Sequence, residues 1–567
     1  MKNQSDTSNR LAHYVPALQW IPAYQKEWLT PDIIGGLSAA AVVIPQAMGY
    51  AALAGLPVQV GLYASLFPMI AYALLGTSRV LSVSVTSTIS LLTAATIASV
   101  ASSADASAYL SAAGALAVMV GLFLILGSFL NLGGIANLIS QPVLLGFKTG
   151  IGIVIFTGQI GKILGIPVTA GSFPETVASI VQNLGQTNWL TLTVSLIVFA
   201  ILIFLPRLTR KAPPALVAVA AAIAVSALFN LQGRGVAVVG DVPAGLPGFT
   251  LPDMSVFRQV FGGALAIALF SFIESIATAR AFVRSGEPKI RANQELLALG
   301  FANLAGGLTM GYPGGGGASQ TAINRDAGAR TQLSGLTTAG MVVLTLLFLA
   351  PLIAFMPTAA LGAMVMLAAF GLIKPQELTA IQRVSKVEYM WALAALLGVI
   401  FLGTLEGILV AMAISIITIF LSSSQPPLYI LGQKSGTDVF RPLSDEHPDD
   451  KTYPGLMLVR TEGRLNFASA PNIEDEMWDF ITEYDPKVIA FDLDAVPEIE
   501  YTALNILTNF DRQLAEQNRT LWLLALNPAV LATLRRAPLG ERLTNDRLFF
   551  NAQEAVSAFQ QRYAQQE

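Results

Sequence analysis

The 567-residue sequence predicts an α-helical membrane protein of fourteen spans, arranged as two sets of seven and followed by a cytoplasmic α/β domain. Three observations carry this. Hydrophobic residues make up 54% of the chain and charged ones 12%, against about 25% charged in a typical soluble domain. Apolar stretches of a length suited to crossing a bilayer, about 20 residues each, recur across residues 31–423. The Lys and Arg residues fall on alternate loops in the way membrane orientation demands.

The first seven spans lie near 33–52, 58–75, 88–101, 112–130, 142–158, 190–205 and 216–228. The second seven lie near 260–282, 295–308, 318–327, 336–356, 361–373, 389–402 and 407–421. The third member of each set is short and interrupted, which points to inverted repeats with a binding site at their interface. With the N-terminus inside, inner segments carry 17 Lys and Arg and outer ones 3, while 13 lie in the tail. One helix more or fewer midway would invert that bias for every later loop.

The divisions follow: a cytoplasmic segment 1–30, a transmembrane domain 31–423, a polar linker 424–450 and a tail domain 451–567. The first 30 residues lack the basic-then-apolar pattern of a cleaved signal, so both termini are expected in the cytoplasm. In the tail, strands near 455–460, 487–493, 520–526 and 548–551 alternate with helices near 473–484, 501–516, 528–536 and 552–563. That alternation predicts one central sheet.

Zero cysteines exclude disulfides, thiolate catalysis and Cys-based zinc sites. The two histidines, His13 and His447, sit in polar segments and read as solvated. No cofactor or metal is expected, no nucleophile–base pair suggests an enzyme, and nothing points to nucleic acid.

The stretch 310–331, MGYPGGGGASQTAINRDAGART, breaks an apolar chain with four consecutive glycines. In lipid such a break leaves backbone groups unpaired unless it is buried in protein or lines a watery cavity. A flexible turn is the simple alternative; placement in the third element of the second set favours an anion site. Two half-helices, starting near 84–88 (SVTST) and 317–321, would aim partial positive charges and free N–H groups at one spot. No Gly-Lys-Ser/Thr follows the glycines, so this is not a P-loop.

Glu274 sits inside an apolar span with no basic residue within a turn. An ionisable group there is costly and marks function by default, and desolvation suits it to carry a proton. The alternative is a structural carboxylate bonded to Ser271, Ser275 or Thr278. Gln46 and Tyr50 stand one helical turn apart and can face one cavity. Arg325 and Arg330 read as inner-face anchors rather than ligands. Asp492 and Asp494 read as strand-end caps.

Several motifs together resemble the sulfate permease (SulP) family of anion transporters, whose mammalian members include prestin and pendrin. These are IPQAMGYAALAGLPVQVGLYASLFPMIAYALLGTSR, LISQPVLLGFKTG, FIESIATARAF and SQTAINRDAGART. The tail domain is similar to the family's STAS domain. The resemblance implies 7+7 inverted repeats split into core and gate, usually in a homodimer. It also implies substrate contacts at Gln46, Tyr50, Thr86, Gly317, Ala318, Ser319 and Gln320, and ion coupling at Glu274 with Thr278. Many members carry Arg where this chain has Gln320, so a fixed charge is expected to be missing from the site. Related bacterial STAS domains carry a phosphorylatable Ser or Thr at a helix start, where this chain reads Glu500-Tyr501-Thr502; Thr502 is the candidate acceptor.

The expected function is proton-coupled secondary transport of a sulfate-type anion by an elevator-like movement in the plasma membrane. Bicarbonate or a C4-dicarboxylate, with proton or sodium coupling, are the alternatives within that class. An anion channel or a membrane-tethered STAS sensor is the alternative outside it.

Overall fold

The computed structural model describes residues 14–100, 106–137, 140–169, 171–208 and 213–563. His13, and Lys2, Arg10, Arg210 and Lys211 of the charge count, lie outside the described residues. The chain forms two compact units, Met1–Ser415 and Ile416–Glu567.

The first unit is helical. Its first half holds α1 (Leu29–Leu53), α2 (Val58–Leu75), α3 (Ser87–Ala98), α4 (Ala106–Phe129), α5 (Gln141–Leu164), the short α6 (Phe173–Asn183), α7 (Trp189–Leu208) and α8 (Pro214–Leu228). The second half holds α9 (Phe257–Ala281), α10 (Ala292–Leu308), α11 (Ala318–Asp326), α12 (Leu333–Leu344, continued to Ile353), α13 (Thr358–Phe370), α14 (Pro375–Val384), α15 (Lys386–Phe401) and the first part of α16 (Thr404–Ser424), which runs on past Ser415. Each of the fourteen expected spans falls on one of these helices, and eight helices among the described residues are long and apolar enough to cross a bilayer. Two amphipathic helices were not expected: α6, started by a Ser172/Glu175 capping box, and α14.

Packing sorts the helices into two groups. In one, α4 and α2 lie on α10, α9 on α4, and α12 on α1 and α2; in the other, α5 lies on α13 and α15, and α7 on α13. The α4–α10 crossing depends on reciprocal glycines. A Cβ at Gly121 would stand 2.7 Å from the Gly300 carbonyl, and one at Gly300 would stand 2.9 Å from that of Gly121 and 2.6 Å from Ile125 Cγ1. Lipid tails supply no hydrophobic drive between helices, so such close backbone approach is the source of their attraction. Gly300→Val is expected to force the pair apart and cost about 1–3 kcal/mol, read as a lowered melting temperature in detergent. Adding Gly121→Ala should then cost less than it does alone, because the two substitutions share one interface.

α3 and α11 are short, at 12 and 9 residues. At 1.5 Å per residue they reach about 18 and 14 Å, half a bilayer core of about 30 Å. Each is led in by a two-residue strand, β1 (Val83–Ser84) and β2 (Gly315–Gly316). These pair antiparallel, Val83 opposite Gly316 and Ser84 opposite Gly315.

The second unit carries a six-stranded sheet in the order β4-β3-β5-β6-β7-β8. The parallel part is β5 (Leu456–Thr461), β6 (Val488–Asp492), β7 (Thr520–Leu524) and β8 (Leu548–Phe549). Helices Ala470–Tyr484 and Tyr501–Glu516 cover one face through Ile473, Met477 and Phe510; Ala552–Tyr563 covers the other, with Phe559 beside Trp522. The stretch 424–450 is not simply a linker. Its β3 (Leu428–Gln433) and β4 (Phe440–Pro442) extend the sheet, β3 running antiparallel to β5. Polar and proline-rich flanks hide the short apolar run LYIL, which only the free edge of β5 makes into a strand.

Asp492 accepts from the Asp494 amide at 2.9 Å and pairs with Arg460 at 2.7 Å, the strand-end role expected of it. Thr502 is exposed in the first turn of its helix.

Candidate anion-binding site

The tips of α3 and α11 meet through β1 and β2, and a dense polar scaffold fixes them. Gly317 N–H donates to the Ser82 carbonyl (3.0 Å), and Ser82 N–H donates to the Thr321 hydroxyl (3.1 Å). Asn303 of α10 exchanges two hydrogen bonds with the Gly314 backbone, at 2.9 and 3.2 Å. Ser271 donates to the Gly314 carbonyl (2.8 Å), and the Ser275 hydroxyl accepts from Gly316 N–H (2.7 Å). Those two serines, expected as alternative partners of Glu274, serve the second tip instead.

Within this scaffold the first turns of both helices keep donors to spare. The first intrahelical acceptors are used by Ser90 N–H, bonded to Thr86, and Thr321 N–H, bonded to Gly317. Thr86 caps α3 by accepting from Ile89 N–H at 3.4 Å, whereas α11 has Gly317 at its N-cap and no side-chain cap. The amides of Ser87 and Thr88, and those of Ala318, Ser319 and Gln320, therefore have no intrahelical acceptor. Both helix ends add partial positive charge. A side chain at 317 would collide with the Gln320 amide, 2.7 Å from its Oε1, so glycine is needed for that amide to fold back across the tip.

The expected residues converge here. Gln320 is fully buried, accepting from the Ser84 hydroxyl at 2.6 Å and donating to Gln46 Oε1 at 3.4 Å. Tyr50 is buried against Ser87. Thr86 reaches Glu274 Oε2 at 3.5 Å. Ala318 and Ser319 are exposed, so the cluster opens beside them. Thr278 is buried one turn along α9 from Glu274.

One expectation fails. Glu274 has a basic neighbour, and the site has a cation: Lys148 Nζ lies 3.3 Å from Glu274 Oε1. Lys148, one of the 17 Lys and Arg of the inner segments, stands about two turns into α5 and reaches the cluster through Glu274. A lysine inside LLGFKTG is itself a signal, since charge within a span seeks a partner. Ser84 and Tyr312 lie in the two stretches singled out from the sequence, 84–88 and 310–331, without being named there as site residues; the Tyr312 hydroxyl shares a 2.9 Å hydrogen bond with Ser90.

Arg325 is no free anchor. It is buried, with guanidinium bonds to Glu287 at 2.6 and 2.8 Å and to the Phe282 carbonyl at 2.6 Å. Burial pushes the Glu287 carboxyl up, but the Arg325 guanidinium and the Arg284 amide outweigh it and hold the group below the usual carboxylate range. Arg330 is exposed, its amide bonded to Asp32. Among the described residues no group of acids and histidines could hold a metal ion.

Comparison with known proteins fits this architecture. Residues 29–395 match the sulfate permease family and residues 447–555 match the STAS domain. "Probable sulfate transporter MT1781" of Mycobacterium tuberculosis (strain CDC 1551 / Oshkosh) is 36% identical over 555 residues, covering 97% of this chain and 99% of the relative. "Sulfate transporter 3.2" of Arabidopsis thaliana is 28% identical over 98% of this chain and 91% of its own. Among solved structures, SLC26A9 shares the fold over 100% of this chain and 96% of its own, with a TM-score of 0.90 at 22% identity. The transmembrane domain of the cyanobacterial bicarbonate transporter BicA matches 69% of this chain and 98% of its own, with a TM-score of 0.58 at 26% identity. A helical membrane unit with two short helices meeting tip to tip, followed by a STAS sheet, thus places this chain in the sulfate permease family.

Proposed function

We propose that this protein is a secondary active transporter that carries a small inorganic anion of the sulfate type together with a proton. The observation that carries this reading is the Lys148–Glu274 ion pair beside the N-terminal ends of α3 and α11, the second of them uncapped. With Glu274 ionised, its carboxylate occupies Lys148 and repels an arriving anion. A proton on Glu274 removes that charge and releases Lys148, so the anion meets one full positive charge and two helix ends of about half a charge each. Proton and anion then favour each other's binding, and the coupling is reciprocal. Lys148 takes the place of the Arg that Gln320 replaces.

Glu274 and Lys148 belong to different packing groups, on α9 and α5. The pair therefore has to part for one group to shift against the other, which suits an elevator-like movement of a core against a gate, each repeat contributing to both. The charge bias supports a plasma-membrane protein with both termini in the cytoplasm, and the family resemblance supports a homodimer. A bicarbonate substrate is the second reading: the neutral Gln320 holds a weaker positive field, and BicA is among the similar structures.

The test is uptake of labelled sulfate, bicarbonate and fumarate by proteoliposomes, each with and without a pH or sodium gradient. Sulfate is expected to accumulate only with the proton gradient. Lys148→Met is expected to raise its KM about tenfold or more, the loss of one charge-assisted contact. Downhill flux of several anions without accumulation of any would identify a channel and sink this reading.

A further inference from the structure

Beyond the two tips, toward the C-terminal ends of α1 and α5, lies a cavity of about 380 Å³. Its wall follows on from tip residues along the helices: Ala52 and Leu53 follow Tyr50 on α1, and Leu91 lies just over a turn past Thr86 on α3. Its polar lining is Gln159, Lys162, Thr169 and Thr176.

We propose that this cavity is a second anion site, which takes up a small oxyanion on the outer side and passes it to the tips. Lys162 is a half-buried cation in the last turn of α5, and among the described residues it has no acidic partner. Gln159, one turn earlier, is 3% exposed, and its Oε1 has no hydrogen-bond partner. That oxygen is an acceptor, costly to bury unless a ligand supplies a donor, and an oxyanion that still carries a proton, such as bicarbonate, can donate to it while its charge meets the Lys162 ammonium. The Thr169 hydroxyl accepts from Ser179 at 3.5 Å and keeps its own hydrogen to donate. The acid on the adjoining helix, Glu175, is turned away onto the Ser172 amide at 2.8 Å. Room for the two α5 side chains comes from α13: a Cβ at Gly362 would stand 3.1 Å from Lys162 Cβ and 3.7 Å from Gln159 Oε1. The rest of the wall is largely apolar, through Val154, Ile155, Ile166 and Phe173.

The outer placement rests on the transport reading and orientation given above, and the experiment separates the two. Uptake of labelled sulfate is measured in cells expressing the full chain, normalised to folded protein in the membrane. Lys162→Met is expected to raise the external KM about tenfold with the maximal rate within about twofold, the loss of one charge-assisted contact. Lys162→Arg should stay near wild type, and Gln159→Leu should leave the sulfate KM near wild type, since sulfate has no proton to donate to the amide oxygen, while raising that of labelled bicarbonate measured in the same way. An unchanged KM in Lys162→Met overturns the site and leaves Lys162 as a cation completing a helix C-terminus. If the wild type takes up no sulfate, bicarbonate or fumarate, the transport reading fails instead. The cavity is then judged by sulfate stabilisation of the purified protein against heat: less stabilisation of Lys162→Met than of wild type supports the site, and equal stabilisation overturns it.

Discussion

Glu274→Gln is expected to abolish proton-driven accumulation while leaving anion exchange intact. The amide is close to the carboxyl in shape and can still meet Thr86, which lies 3.5 Å from the native carboxylate, but it cannot take up a proton. It also leaves Lys148, 3.3 Å away in the native pair, without its counter-charge. The anion then finds the cation always available. A charge-assisted contact of about 1.5–3 kcal/mol corresponds to a KM lower by about one to two orders of magnitude. Counterflow of labelled against unlabelled anion should continue, whereas the accumulation ratio under a pH gradient should fall to one. The double variant Glu274→Gln, Lys148→Met restores neutrality and should lose the tight binding without regaining accumulation. An unchanged pH-driven accumulation ratio in Glu274→Gln would remove this residue from the coupling role.

Asp32→Ala should be among the most damaging substitutions to folding. Asp32 is fully buried at the start of α1. Its carboxylate accepts from Arg330 N–H at 2.6 Å, Thr331 N–H at 3.0 Å, the Thr331 hydroxyl at 2.6 Å and the Tyr24 hydroxyl at 3.2 Å. Removing it strands two backbone amides and a hydroxyl away from water. At about 1–3 kcal/mol for each buried orphan, the loss is about 3–5 kcal/mol after relaxation. Thermal unfolding in detergent measures it; Asp32→Asn, which keeps one acceptor oxygen, should fall between the two. A melting temperature within a degree of wild type for the alanine variant would contradict this account. Glu295 has the corresponding duty in the other direction: it is fully buried on α10 and accepts from Thr77 N–H at 2.7 Å, the Thr77 hydroxyl at 2.5 Å and Tyr72 at 2.7 Å. The loop after the second tip is thus held by an acid from the first half, and the loop before the first tip by an acid from the second half.

Much of this could be read from the sequence, because lipid imposes strict local rules. Apolar length located the helices, and four glycines between apolar stretches located the second tip. Glu274 stood out because charge is rare in a span. What could not be read were pairings between distant positions. Lys148 lies near the end of its span, where position alone suggests an inner-face charge; only the packing of α5 on the cluster turns it toward Glu274. The missing Arg at 320 therefore read as a missing cation, when the cation enters from another helix. Asp32 and Glu295 were passed over because carboxylates near helix starts are ordinary, and their partners lie 299 and 218 positions away. Strands β3 and β4 were lost because a short edge strand has no pattern of its own until a neighbour pairs with it.

The pairing of β1 with β2 has a consequence for how the two halves depend on each other. Each half supplies one strand, one short helix start and one locking acid, and none of these is complete alone. A half expressed by itself would present an unpaired edge in place of an anion site, with its loop carboxylate facing nothing. Severing the backbone in the long 229–256 connection would therefore yield two pieces that are inert apart and complement one another only when both are present.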